Sequence, residues 1–165
     1  VRSRRQRQMC IRDRYKLAFS KIIKFYEKNF KKIKFYELMI SDTFGYNDER
    51  IKIVNVLRKN YKKNKVTKLI SKNLYINLLN VEAIIQAVNI IKKKNIYPGK
   101  YLLKNNKDFR LYEIVENFNK SNKKKLKINW ESQKFIKQKI YSYKKLKGWK
   151  PVKSNITDII NIIKR

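Results

Sequence analysis

Histidine is absent from this chain of 165 residues, cysteine occurs once, proline twice and glycine three times, and 12 carboxylates face 44 lysines and arginines. Each shortage closes a route. Without histidine, neither a Ser-His-Asp nor a Cys-His catalytic arrangement can be assembled, and a conventional zinc cluster is excluded. A single thiol, Cys10, rules out an internal disulfide framework. The glycine-rich loop that cradles the phosphates of a dinucleotide is missing. Acidic residues are too sparse to single out a carboxylate pair. No apolar run approaches the ~18–20 residues of a membrane span, and none near the start has the continuous apolar core of a secretory signal. The setting expected by default is reducing and cytoplasmic.

What the chain has in excess is positive charge, +32 at neutral pH. Such a balance fits a polyanionic partner, and a small basic protein binding nucleic acid is the alternative reading of the whole chain. The lysines are spread along the sequence, however, and Lys, Asn and Ile are abundant together. Their codons are A- and T-rich, so base composition alone accounts for the bias.

Residues 1–14 contain six arginines and no lysine, whereas four arginines and 34 lysines follow from Tyr15 onward. The run RQRQMCIRDR resembles translated adapter sequence at the ends of assembled environmental DNA. Residues 1–16 therefore read as an artefactual basic leader, expected to be disordered or adventitiously helical. The competing readings are an Arg-rich transit peptide and a nucleic-acid-binding arm. Position 1 is not methionine, and the chain is expected to be an open-ended fragment, with residues 17–165 as its folded part.

Periodicity then sets out alternating elements. Residues 18–30 place Phe19, Ile22, Ile23, Tyr26 and Phe30 on one helical face. Residues 35–40 read as a buried strand, 41–48 as a turn-forming segment, and Ile51, Ile53, Val54 and Leu57 recur at helical spacing. Short apolar stretches at 66–70 and 75–79 read as strands. A helix is expected over 81–91 with Ala83, Ile84, Ala87, Val88 and Ile91 facing inward. A strand at 101–103, a helix at 110–119 capped by Asp108, a strand at 126–130 and a last helix behind Ser154 or Asn155 complete the pattern. Strands alternating with helices predict an α/β fold. Strand, polar loop, helix over residues 35–56 is the layout that presents a ligand site at the carboxyl end of a strand. A basic residue there, Arg50 or Lys52, is suited to a phosphate group.

Four pieces, in order, go further. Leu17-Ala18-Phe19-Ser20-Lys21 looks like a Tyr-x-x-Ser-Lys helix start. Residues 41–50, SDTFGYNDER, look like a loop worded Asn/Asp-x-Tyr-Gly-Pro-x-Asp-x-Arg. Residues 77–84, NLLNVEAI, are similar to Asp-Phe-Val-His-Val-Asp-Asp-Val, and residues 146–151, LKGWKP, match a closing Leu-Gly-Trp-Lys-Pro segment. In these pieces the chain resembles the carboxyl-terminal half of an extended short-chain dehydrogenase/reductase of the NAD-dependent epimerase/dehydratase family, which acts on nucleotide sugars.

The resemblance implies an incomplete Rossmann-like parallel sheet plus a small α/β substrate-binding domain. It implies NAD or NADP as cofactor of the parent enzyme and a nucleotide sugar as substrate. It makes Lys21 the catalytic and cofactor-binding lysine, makes Asp42, Thr43 and Arg50 substrate contacts, and assigns no metal. It also implies a homodimer through the helix over 18–30; no membrane is expected, because no apolar run is long enough to span one. Three positions depart from the family wording. Leu17 stands where the catalytic Tyr is expected, Ala83 replaces the second Asp of Val-Asp-Asp, and Ile76 replaces an Arg that often precedes it. The fragment is accordingly expected to be inactive.

Overall fold

A computed structural model describes residues 4–131 and 143–165. Along the chain run α1 (Arg4–Asn29), β1 (Tyr36–Ile40), β2 (Asp42–Phe44), α2 (Ile53–Lys62), β3 (Thr67–Leu69), β4 (Tyr75–Ile76), β5 (Leu78–Asn80) and α3 (Val81–Lys93). Then come β6 (Gly99–Leu103), β7 (Phe109–Arg110), α4 (Leu111–Ser121), β8 (Ile128–Trp130), β9 (Lys144–Lys145) and α5 (Ile156–Lys164). Three pairings are parallel: β2 with β5, β3 with β8 and β6 with β9. Only β4 with β7 is antiparallel among the pairings whose direction is established. The α/β class with parallel sheets is as the alternation predicts.

The described chain divides into two compact units, with the boundaries inside β1 and β6: residues 1–37 with 97–100, and residues 38–96 with 101–165. In the smaller unit, α1 runs without a break from the arginine-rich leader through residues 17–29. The apolar face expected over residues 18–30 is not covered: Phe19 is 64% exposed, Ile22, Tyr26 and Phe30 are also open and Ile23 is half-buried, while Leu17 and Phe25, off that face, are exposed as well. Around the chain reversal that follows, Tyr26 packs against Phe30 and Phe35 at ring separations of 5.3 and 6.4 Å. The amide of Gly99 donates to Phe35 O and Lys100 pairs with Glu37 at 2.6 Å.

The larger unit holds the core. Phe44 from β2, Val54 and Leu57 from α2, Leu78 from β5, Leu111, Ile114 and Phe118 from α4, and Ile159, Ile162 and Ile163 from α5 form one buried cluster. Helices α4 and α5 bury apolar stripes at the spacing their periodicity predicts, whereas α2 follows in part: Val54 and Leu57 are buried, but Ile51 lies ahead of the helix and is 91% exposed. Helix α3 follows the prediction in part: Ala83 and Ala87 are fully buried, but Val88 is exposed. Asn155, rather than Ser154, caps α5, in a reciprocal capping box with Asp158. Asp108 does not cap α4; its carboxylate accepts instead from Asn77 Nδ2 at 2.6 Å. The short strands β2, β7 and β9 were not predicted, since two or three residues carry no period of their own.

A buried polar cluster ties β5 to the segment ahead of α5. The Asn80 amide donates to Ser154 Oγ at 2.9 Å, Asn80 Nδ2 donates to Lys153 O, and Asn105 Nδ2 donates to Leu78 O and to Ser154 O. Asn77 exchanges bonds with the backbone of Asn105. Among the described residues, no helix is long and apolar enough to cross a membrane.

Candidate functional site

The loop between β2 and α2 is built from both ends. Strand β2 lies parallel to β5 in the register Asp42 to Leu78, Thr43 to Leu79 and Phe44 to Asn80, so both strands end on the same side. Phe44 enters the core, and alternation turns Thr43 to the opposite face. Gly45, itself buried, lets this backbone approach the first residue of α3 closely: a Cβ at this position would meet Val81 Cγ2 at 3.3 Å. The loop then doubles back, so that residues 48–52 lie beside residues 42–43.

Arg50 is the centre of this return. Its Nε and Nη2 donate to the two oxygens of Asp48, each at 2.7 Å, and Nη2 also donates to Thr43 Oγ1 at 2.8 Å. The Asp48 carboxylate accepts in addition from the Arg50 amide at 3.1 Å. Its side chain is 7% exposed while that of Arg50 is 58% exposed, so the anion is buried under its cation. The Arg50 guanidinium holds the Asp48 carboxyl below the usual carboxylate range, against the opposing effect of burial. Asp48 in turn raises Arg50 further above its already high value. Beside this pair Lys52 Nζ donates to Asp42 Oδ1 at 2.6 Å, with both side chains largely in solvent.

Helix α2 secures the loop from below. Arg58 donates to Tyr46 O at 2.7 Å and to Asp48 O at 3.2 Å, and Asn55 Nδ2 donates to Arg50 O at 3.1 Å. The guanidinium of Arg165 lies 4.5 Å from the centre of the Tyr46 ring. Asn55 is buried, and its Oδ1 has no hydrogen-bond partner.

Asp42 and Thr43 on β2 and Arg50 on the loop that follows, the three predicted substrate contacts, therefore come together within the larger unit. Lys21 belongs to the smaller unit, exposed on α1 one residue past Ser20. Sequence reasoning passed over Asp48, Asn55, Arg58 and Arg165. The Asp-x-Arg spacing was a usable signal for Asp48. Nothing local marks Asn55 or Arg58, which earn their place only when α2 folds back under the loop. Among the described residues, no group of three histidine, cysteine or acidic side chains is arranged to hold a metal ion.

No family model matches the chain, and no curated protein does. Solved structures do. UDP-glucuronic acid 4-epimerase from Bacillus cereus, crystallised with NAD, is similar over 90% of this chain and 50% of its own, with a TM-score of 0.69 at 17% identity. UDP-glucose 4-epimerase from Thermus thermophilus, also with NAD, matches 89% of this chain and 51% of its own, with a TM-score of 0.68 at 13% identity. dTDP-glucose 4,6-dehydratase from Bacillus anthracis matches 85% of this chain and 46% of its own, at 0.61 and 14%. The fold is that of the Rossmann-like epimerases. The chain spans about half the length of these structures.

Proposed function

We propose that this chain is the carboxyl-terminal, substrate-binding half of an NAD(P)-dependent nucleotide-sugar epimerase, dehydratase or reductase, and that residues 42–50 receive the nucleotide sugar. The observation that carries the reading is the Arg50 guanidinium, fixed on one side by Asp48 and Thr43 and open to solvent on the other. A fixed, exposed guanidinium suits two oxygens of a phosphate. Arg50 binds the diphosphate, and Asp42 and Thr43 lie nearest the sugar. Nothing among the described residues or the solved structures favours a nucleic-acid-binding protein.

The cofactor fits only in part. Lys21 on α1 is the residue that would hold the nicotinamide ribose and lower the pKa of a neighbouring acid/base hydroxyl. The chain has no glycine-rich loop for the pyrophosphate, and Leu17 offers no hydroxyl. Bound NAD(P) supplies hydride transfer; on its own this chain turns nothing over. Its apolar α1 face serves a second copy of the protein, giving a homodimer through residues 18–30.

The test is a chimera in which the amino-terminal half of a relative is joined at Ala18, assayed with UDP- and dTDP-sugars. NAD-dependent product that falls by about two orders of magnitude or more in Lys21→Met is expected. A folded chimera with no product across both sugar classes overturns the reading.

A further inference from the structure

Resting on the reading of Arg50 as a diphosphate contact, we infer that Asp48 is the positioning residue of this site, strengthening anion binding although it is itself an anion. Three observations lead there. The Asp48 carboxylate is nearly sealed from solvent, whereas surface ion pairs usually leave both partners wet. It grips Arg50 through Nε and Nη2, one oxygen to each, which fixes the plane of the guanidinium as well as its place. Asp48 is itself immobilised: its Oδ1 accepts from the Arg50 amide and its carbonyl accepts from Arg58.

The grip leaves a particular edge free. Nη2 is shared with Thr43 Oγ1, and among the described residues no hydrogen bond engages Nη1. Both hydrogens of Nη2 are thus taken, and Nη1, with its two N–H groups free, is held in a constant orientation. A phosphate arriving there meets two donors already aligned, with no arginine side chain left to immobilise.

Charge counting predicts the opposite sign. Removing a carboxylate several ångströms from an anion site in water should tighten binding by roughly threefold. Freeing a solvent-exposed arginine should weaken it by roughly tenfold, because its rotamers must then be ordered by the ligand. The second effect is the larger, so the two accounts differ in direction.

The experiment is calorimetric titration of the full chain with inorganic pyrophosphate, with the fold of each variant checked by its amide spectrum. Asp48→Asn is expected to bind about five- to tenfold more weakly, Arg50→Ala to lose binding, and the double variant to be no weaker than Arg50→Ala alone. Binding by Asp48→Asn that equals or exceeds the original overturns the inference. Should Asp48→Asn fail to fold, Asp48→Glu decides: it keeps the negative charge, but the longer side chain moves the carboxylate off the two guanidinium nitrogens. Loss comparable to that expected for Asp48→Asn supports positioning, and affinity equal to the original overturns it. A second readout separates this inference from the diphosphate reading. Nitrogen relaxation of Arg50 Nε without ligand should show a rigid group that becomes mobile in Asp48→Asn. If the original chain binds no pyrophosphate, the diphosphate reading of Arg50 falls. Positioning by Asp48 then stands if that mobility change is seen and falls if it is not.

Discussion

Trp149 Nε1 donates to the carbonyl oxygen of Ala83 at 2.8 Å, joining residues 66 positions apart. Ala83 is fully buried in the first turn of α3, which Asn80 caps by accepting from the Glu82 amide. The Gly-Trp-Lys-Pro segment is thus fastened to the end of α3 that follows β5, on the strand that pairs with β2. Replacing the indole with phenyl keeps most of the apolar contact and removes the hydrogen bond. Trp149→Phe should cost about 1 kcal/mol, read as a lower urea midpoint with an unchanged slope.

Ser154 should matter more than its size suggests. Its hydroxyl accepts from the buried Asn80 amide and donates to Val152 O, both at 2.9 Å. Ser154→Ala leaves that amide without a partner at a site where Asn80 is 3% exposed. We expect a loss of about 1–3 kcal/mol. Denaturant midpoints matching those of the original chain would show that the amide finds another acceptor.

Asp48 gives the fold an acid limit. Its carboxyl titrates lower in the folded chain than in the unfolded chain because of Arg50. The unfolded state therefore binds the proton first, and the stabilisation is complete above the unfolded value of ~3.9. It is lost as pH falls through the lower, folded value. Asp48→Asn should cost on the order of 1 kcal/mol at pH 7, discounted for the exposure of Arg50, and the difference from the original chain should shrink below pH 4. A difference that stays constant from pH 7 to pH 3 would show that the ion pair contributes nothing.

The uncovered face of α1 makes self-association measurable. If residues 18–30 meet a second copy, the chain should sediment as a dimer, and Ile22→Glu should raise its dissociation constant by about tenfold or more through a charge placed in an apolar contact. A monomer at all concentrations, unchanged by the substitution, would remove this face from consideration as a dimer contact.

What the sequence determined by itself is what neighbours along the chain decide. Apolar residues at a spacing of three and four give the buried stripes of α4 and α5, and in part that of α2, because a helix brings those positions to one side whatever lies opposite. Residues 41–50 carry the polar turn chemistry and the Asp-x-Arg spacing, and the grip of Asp48 on Arg50 spans only two positions. Tertiary structure decided the rest. The approach of Lys52 to Asp42, the pinning of Asp48 by Arg58, and the hold of Ser154 on Asn80 join residues 10, 10 and 74 positions apart. Each depends on how β2 registers with β5 and how α2 and the segment ahead of α5 pack around them. Pattern along the chain can mark a residue as apolar or polar, but which distant partner satisfies it is settled only when the chain closes on itself and buried polar groups must find one another.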